Sequence, residues 1–332
     1  PSLDSQLQVN DCLKLIVKST LRFYRVKPLF QISKGYLKSK SISLPLHMSS
    51  LPPKSLQNQL TERLTIIYGA REANQMAILL LDHFCGIDRI KLALNANVEI
   101  DSLKSVELEK ALNQLLDHVP IQHIIGEVEF YDCLIKTDAR ALIPRPETEE
   151  LVDWIVAENN LEAPKITDIG TGTGCIPIAL KKAIPSAIVT AIDVSEDALA
   201  LARENAAINK THINFIHLDI LTRSFPLEGL DLIVSNPPYI PEKEKAIMDK
   251  NVIDYEPGLA LFVPDNHPLL FYSSIGEMAI KHLTLGGLLY FEIHENYGKM
   301  LVTLMKDIGF TNVRLKKDLQ GKDRMIQAQK IR

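Results

Sequence analysis

Apolar residues recur every three or four positions between residues 54 and 119, with no alternating stretch between them. The runs are Leu56, Leu60, Leu64 and Ile67; Ala73, Met76, Ala77, Leu80, Leu81 and Phe84; and Leu108, Ala111, Leu112, Leu115 and Leu116. This spacing predicts amphipathic helices, and Gly86 is well placed to end the second one. We therefore expect a small all-α domain over residues 48–119.

The pattern changes between residues 120 and 146. Apolar side chains alternate with polar ones from Glu127 to Lys136, which predicts a β-hairpin. Pro144 and Pro146 then make the chain extended and stiff. We interpret residues 120–146 as a hairpin linker that leads into a second domain.

From Lys165 onwards, short apolar strands alternate with helix-length segments. The predicted strands are 166–169, 187–193, 213–217, 232–235, 287–293, 311–315 and 324–329, and the last two are expected to pair at the far edge. The predicted helices are 176–182, a segment ending at 207, 268–282 and 297–308. This order predicts an α/β domain over residues 147–332, with a mostly parallel seven-stranded sheet covered by helices on both faces.

Composition narrows the class of protein. The chain has 332 residues, of which 46% are hydrophobic and 23% charged, which is typical of globular domains and excludes a disordered chain. No apolar run is long enough to cross a bilayer. The four cysteines are far apart, which argues against a zinc ribbon or a disulfide scaffold and favours a reducing compartment. The histidines lack ligand spacing, so we expect no metal site.

Charge is distributed unevenly. Residues 1–47 hold eight Lys and Arg against two acidic residues, a net charge of +6, whereas the remainder carries −10. An acidic body is poorly suited to general nucleic-acid binding, which needs Lys and Arg against phosphates. The basic leader 1–47 has three interpretations: a targeting segment, a helical appendage, or sequence upstream of a natural start at Met48.

A glycine-rich turn follows the first strand of the α/β region. It reads Asp168, Ile169, Gly170, Thr171, Gly172, Thr173, Gly174. Glycines permit a tight turn and close approach of a ligand, and Asp193 at the end of the next strand is suited to accept hydrogen bonds from ribose hydroxyls. The spacing differs from that of dinucleotide-binding turns, and the acid Asp168 suits a cationic ligand. S-adenosylmethionine meets these requirements, since it has an amino-acid end, a ribose and no phosphate.

A second motif, Asn236-Pro237-Pro238-Tyr239, follows the fourth strand. Ligands bind at the carboxyl ends of parallel strands, so this motif is expected beside the glycine turn. The Asn236 side-chain oxygen and the Pro237 carbonyl are able to accept two N–H bonds from a planar NH2 group, and the prolines hold these acceptors rigidly. Tyr239 is expected to pack on the flat face of that group. The combination predicts methyl transfer to an amide or base nitrogen.

These motifs resemble class I S-adenosylmethionine-dependent methyltransferases of the amino-group type. Residues 120–126, 129–131 and 143–151, with Tyr255-Glu256-Pro257 and Asp323-Arg324-Met325, closely resemble the HemK/PrmC family. The resemblance covers about residues 54–330 and implies methylation of the side-chain amide of the glutamine in the Gly-Gly-Gln motif of peptide-chain release factors. A ribosomal-protein glutamine methyltransferase, a nucleic-acid base methyltransferase and a cofactor-binding adaptor without activity are the alternatives.

The resemblance also implies roles for particular residues. Gly170 to Gly174 and Asp193 would bind the cofactor, Asp219 and Ile220 would contact its adenine, and Asn236 to Tyr239 would hold the substrate glutamine. Phe130 and residues 145–148 would either line the cofactor pocket or serve only to link the domains. Glu256 is expected to form an ion pair in a loop rather than to act in catalysis.

Partners follow from the same resemblance. The helical domain 48–119 would recognise the release factor, with no direct contact to nucleic acid or membrane. We expect a monomer that acts in the cytoplasm, or in an organelle if the leader is a targeting segment.

Overall fold

The computed structural model describes residues 52–95, 98–222 and 224–331. The leader 1–47 and Met48 lie outside the described residues, so the three interpretations of the leader remain open. The chain divides into two compact units, one ending at Glu109 and the other beginning at Lys110. The predicted domain boundaries at residues 47, 119 and 146 stay predictions.

The first unit is helical, as the apolar spacing predicts. It contains α1 (Pro53–Cys85), α2 (Arg89–Leu94) and the start of α3 (Ser102–Leu116). Gly69, with φ 72° and ψ 160°, interrupts α1 between the two apolar runs. Gly86 ends α1 in the left-handed conformation and donates its N–H to the Asp82 carbonyl at 2.9 Å, which confirms the predicted stop.

The second unit begins with the end of α3, which is followed by a short helix and a hairpin. Helix α4 (Ile121–Ile125) precedes β1 (Glu127–Phe130) and β2 (Cys133–Lys136), which pair antiparallel as predicted. Helix α5 (Pro146–Glu158) starts on a proline, whose missing N–H costs nothing at that position. The hairpin contributes Phe130, Cys133 and Ile135 to the core of this unit.

Strands and helices alternate through the rest of the chain. In order they are β3 (Lys165–Ile169), α6 (Cys175–Ala183), β4 (Ile188–Asp193), α7 (Glu196–Ile208), β5 (Asn214–His217), β6 (Leu230–Ser235), α9 (Leu270–His282), β9 (Leu283–Glu292), α10 (Gly298–Ile308), β10 (Thr311–Lys317) and β11 (Asp323–Gln329). They form a seven-stranded sheet in the order β10-β11-β9-β6-β3-β4-β5. Within the described residues, β11 pairs antiparallel with both β9 and β10, and the other strand pairs of this sheet are parallel, which confirms the predicted mostly parallel α/β fold.

Successive side chains along each strand point to opposite faces of the sheet, so apolar residues lie on both faces and helices cover both. Ile166 and Val234 pack in one cluster with apolar residues of α5 and α6. Ile169 and Ile233 pack in the other cluster, with apolar residues of α9 and α10. The strand ends are therefore fixed by two separate cores.

The segment between β6 and α9 departs from the long loop that the sequence predicts. It contains β7 (Ile240–Pro241) and β8 (Phe262–Val263), which pair with each other, and α8 (Lys250–Ile253) with two 3-10 turns. These pieces are too short to show a periodic pattern in sequence. Within the described ranges, every helix is too short or too polar to cross a lipid bilayer.

Candidate active site

The ends of β3 and β6 lie side by side. Ile169 pairs with Ser235 in the parallel register, and the Ser235 hydroxyl donates a 2.6 Å hydrogen bond to the Ile169 carbonyl. The glycine turn after β3 and the Asn-Pro-Pro-Tyr motif after β6 therefore start from neighbouring points. This confirms the prediction that the two motifs are adjacent.

The glycine turn depends on backbone conformations that other residues rarely adopt. Gly170, Gly172 and Gly174 have φ of 73°, 54° and 79°. At Gly174, space is limiting as well, because a Cβ there would lie 3.0 Å from the Ala202 Cβ. The turn is anchored to β4, since the N–H groups of Gly170 and Thr171 donate to the Ile192 carbonyl.

Asp193, at the end of β4, is fixed by the backbone around it. Its carboxylate accepts hydrogen bonds from the N–H groups of Gly172 and Ser195, both at 2.9 Å. Burial raises the pKa of Asp193, while these backbone donors oppose the rise. The result is an oriented acceptor at the carboxyl edge of the sheet, as a ribose hydroxyl would require.

Asp168 lies one residue before the end of β3 and is fully buried. Among the described residues, neither of its carboxylate oxygens has a hydrogen-bond partner. Burial raises the pKa of Asp168 to about 7, with the nearby Thr171 hydroxyl lowering it and the Asp193 charge raising it further. An unpaired buried carboxylate suits a cationic partner or a bound water, although Asp168 does not itself line the cavity described next.

A cavity of about 160 Å³ opens at this edge of the sheet, within the second unit. Of the predicted site residues, it is lined by Gly170, Thr171, Gly172, Thr173, Asp193, Asp219, Ile220, Asn236, Pro237 and Pro238. The predicted residues that do not line it are Asp168, Gly174 and Tyr239. Apolar side chains such as Ile192, Leu218 and Leu259 complete the wall, which suits a ligand with a flat apolar part and a polar ribose.

Asp219 and Ile220 line the cavity where the chain leaves β5. The Asp219 carboxylate accepts hydrogen bonds from the Leu221 N–H at 2.9 Å and the Thr222 hydroxyl at 3.0 Å. Asp219 thus stabilises its own turn, and Ile220 packs partly against the apolar core of the sheet. Contact of either residue with adenine stays a prediction.

Tyr239 does not line the cavity, unlike the other three residues of its motif. Its hydroxyl donates to the Glu292 carboxylate at 3.3 Å, and its ring meets His294 edge-on with centroids 5.9 Å apart. Burial and the neighbouring Glu292 raise the pKa of Tyr239. Packing of its ring on a substrate amide stays a prediction.

The linker before α5 is joined to the segment after β6. The Arg145 guanidinium donates to Glu256 at 2.6 Å, and the Ile143 N–H donates to the other oxygen of the same carboxylate at 3.1 Å. Glu256 forms the loop ion pair that the sequence predicts. Arg145 and Thr148 line the cavity, whereas Phe130 does not line it and is buried in the core.

Glu292, at the end of β9, is a site residue that the sequence did not indicate. It is buried, and it accepts hydrogen bonds from the Thr148 hydroxyl at 2.6 Å and from Tyr239. Burial raises the pKa of Glu292, while Thr148 and Arg324 oppose the rise. The only sequence signal is a carboxylate at the end of an apolar strand next to β6. Within the described ranges, no group of three His, Cys, Asp or Glu residues is arranged to hold a metal.

The seven-stranded fold and the matching family models are those of a methyltransferase. A family model described as "Methyltransferase small domain" matches residues 148–254, and one described as "PrmC N-terminal domain" matches residues 55–126. The chain is 44% identical over 278 residues to the release factor glutamine methyltransferase of Flavobacterium psychrophilum, covering 82% of this chain and 98% of that one. It is 42% identical over 267 residues to the protein of the same name from Bacteroides thetaiotaomicron, covering 79% and 94%.

These similarities extend over nearly the full length of the relatives. The chain belongs to the release factor glutamine methyltransferase family. The family resemblance that the motifs indicate in sequence is thereby confirmed.

Proposed function

We propose that this protein transfers a methyl group from S-adenosylmethionine to the side-chain amide nitrogen of a glutamine in a peptide-chain release factor. The names of the relatives support the substrate, and the Gly-Gly-Gln loop is the segment expected to carry that glutamine. The observation that carries the proposal is the meeting of the Asn236-Pro237 corner and the glycine turn in one cavity.

The residues around the cavity suit S-adenosylmethionine, which supplies an electrophilic methyl group when bound. Gly170 to Gly174 would let the backbone approach the ligand, and Asp193 would accept from the ribose hydroxyls. Asp219 and Ile220 would border the adenine. Asp168, whose carboxylate oxygens have no hydrogen-bond partner among the described residues, would favour the positive charge of the ligand through the intervening turn.

Asn236 and Pro237 would hold the substrate amide. A carboxamide NH2 has two donors, and the Asn236 side-chain oxygen and the Pro237 carbonyl are two acceptors on a rigid segment. Pro237 and Pro238 limit movement of this corner, so the acceptors are in place as positive charge develops on the nitrogen. Positioning and electrostatics would therefore supply most of the rate enhancement.

The bond from the sulfonium sulfur to the methyl carbon would break as the bond from the methyl carbon to the amide nitrogen forms, which leaves S-adenosylhomocysteine as a neutral thioether. The nitrogen's proton becomes acidic once the methyl group has been transferred, so water would take it and no strong base is required. The buried carboxylates fit this scheme: Asp168 does not line the cavity, and Glu292 is engaged by Thr148 and Tyr239. Two glycines beside the target glutamine would let a backbone enter a narrow cleft. The helical domain would recognise the rest of the partner.

A transfer assay tests this proposal. The protein is incubated with methyl-labelled S-adenosylmethionine and either a release factor or the same factor with its Gly-Gly-Gln glutamine replaced by alanine. We expect label only in the first. Label that survives the replacement would overturn the substrate. Label transferred to a ribosomal protein, DNA or rRNA and not to the release factor would favour the alternatives over this proposal.

The expected oligomeric state, binding partners and compartment depend on the proposed substrate. We propose that the protein acts as a monomer on a free protein substrate, without direct contact to nucleic acid. The net charge of −10 over residues 48–332 supports a protein partner. The compartment would be the one that holds the release factor, which is the cytoplasm or, with a targeting leader, an organelle.

A further inference from the structure

A line of hydrogen bonds joins the Asn236 side chain to a buried carboxylate. The Asn236 amide nitrogen lies 3.4 Å from the Thr148 hydroxyl, and that hydroxyl lies 2.6 Å from Oε2 of Glu292. Thr148 is 3% exposed and Glu292 is 1% exposed, so water competes little for either group. The three residues come from the β6 end, α5 and the β9 end.

The direction of these bonds follows from the chemistry of the groups. An ionised carboxylate only accepts, and a threonine hydroxyl has one proton to donate. Thr148 therefore donates its proton to Glu292, and its lone pairs are left to accept from Asn236. The Asn236 group that satisfies this arrangement is its NH2, and not its carbonyl oxygen.

The charge on Glu292 that this direction requires is supported from several sides. Thr148 and Tyr239 both donate to the carboxylate, one at each oxygen. The positive charge of Arg324 favours its ionised form, while Glu147 opposes it. Burial raises the pKa of Glu292, and the two donors and the nearby guanidinium offset part of that rise in favour of the charged form.

When the Asn236 NH2 group is held by the Thr148 hydroxyl, the Asn236 Oδ1 atom points away from Thr148. In the described part of the chain, Oδ1 has no hydrogen-bond partner, and Asn236 lines the cavity. If the amide turned over, its NH2 would face the NH2 of a substrate glutamine, and two donors would meet. Turning over the Asn236 carboxamide would thus convert a site that accepts the substrate NH2 into one that repels it.

We propose that Thr148, held by Glu292, is a positioning residue that fixes the Asn236 carboxamide with Oδ1 facing the substrate glutamine. This inference rests on the proposed function, and it adds a requirement that lies outside the Asn-Pro-Pro-Tyr motif. It makes α5 and β9 part of the substrate site, although neither Thr148 nor Glu292 is assigned a contact with the reacting atoms.

The test compares Thr148→Val, which removes the hydroxyl at nearly constant size, with Thr148→Ser, which retains it. Turnover number, KM for the release factor and Kd for S-adenosylmethionine are measured for both variants and the unmodified protein. We expect Thr148→Val to lower kcat about 10- to 100-fold, as loss of an orienting partner typically does. The kcat of Thr148→Ser should stay within about threefold of that of the unmodified protein, because this variant retains the hydroxyl. The Kd for S-adenosylmethionine should change by less than about twofold in both variants.

A spectroscopic measurement separates orientation from general damage. The side-chain NH2 signals of Asn236, assigned by their loss in Asn236→Ala, should shift in Thr148→Val and stay in place in Thr148→Ser. If Thr148→Val does not bind the cofactor, Thr148→Ala removes the same hydroxyl with less bulk and is judged by the same criteria.

Several results would overturn the inference. They are equal kcat in the valine and serine variants, a loss confined to cofactor Kd, or unshifted Asn236 signals in a valine variant of low activity. Failure of the proposed function is distinguishable, because then the unmodified protein itself would not methylate the release factor.

Discussion

The Arg145 guanidinium lies 2.6 Å from the Glu256 carboxylate, and this pair joins the segment before α5 to the segment after β6. The same carboxylate also accepts the Ile143 N–H. Glu256 is 1% exposed at its side chain, whereas Arg145 is 34% exposed. One buried acid thus fixes two walls of the cavity at once.

Glu256→Ala should therefore destabilise the fold. The substitution leaves the Ile143 N–H and a half-buried guanidinium without their acceptor, and we expect a loss of about 2 kcal/mol in the free energy of unfolding. Glu277→Ala, at an exposed position of α9, is the matched control and should change it by less than about 0.5 kcal/mol. Denaturant unfolding measures both, and equal small effects would contradict the role given to Glu256.

The first and last glycines of the turn should differ in how much stability a substitution by alanine costs. Gly170 and Gly174 both have positive φ, but a Cβ at Gly170 meets nothing within 4 Å, whereas one at Gly174 lies 3.0 Å from the Ala202 Cβ. Gly170→Ala should cost about 1–2 kcal/mol of stability through backbone strain alone. Gly174→Ala should cost about 1–3 kcal/mol more, from overpacking. Unfolding midpoints that rank the variants in the reverse order would contradict this reading.

Asp168 should make stability depend on pH. Its pKa is raised from 3.8 to about 7 in the folded protein, so over that range the folded state holds a proton that the unfolded state has lost. The contribution of Asp168 to stability is thus full at low pH and is lost as pH rises through about 7.

Asp168→Asn removes this titration and keeps the size of the side chain. Without cofactor, the Tm of the variant minus that of the unmodified protein should be larger at about pH 8 than at about pH 5. Asp193 and Glu292 also have raised pKa values, but they are present in both proteins, so their effects largely cancel. A difference in Tm that stays constant with pH would show that Asp168 does not titrate in this range.

Asn236→Ala should separate turnover from cofactor binding. The variant loses one of two acceptors for the substrate amide, and we expect kcat to fall about 10²- to 10³-fold. Cofactor Kd should change by less than about twofold, because Asp193 and the glycine turn are untouched. Asn160→Ala, at an exposed position beyond α5, is the control. An active Asn236→Ala protein would refute the proposed role.

Much of this site could be predicted from the sequence because its parts are local. Each motif directly follows an apolar strand, and the carboxyl ends of parallel strands meet at one edge. The adjacency of Gly170 and Asn236 follows from that rule alone. The predicted strands also agree with the structure within a few residues; the largest difference is β9, which begins at Leu283 rather than 287, before two glycines that mask its pattern.

The role of Glu292 could not be predicted in the same way. Its bond to Thr148 spans 144 positions in sequence, and its bond to Tyr239 spans 53. A single carboxylate in an apolar strand has no periodicity and no motif to mark it. Tyr239 shows the same limit, because the motif places its backbone beside Asn236 while tertiary packing turns its hydroxyl toward Glu292.

The proposed methyl transfer can be measured as the mass of the Gly-Gly-Gln peptide of a release factor after incubation with this protein and S-adenosylmethionine. Fragmentation of the peptide locates any added group. With unmodified protein, we expect an added mass of one methyl group, assigned to the glutamine side chain. At the same short incubation time, Asn236→Ala should methylate far less of the peptide. An unchanged peptide, or a methyl group on another residue, would contradict the proposed function.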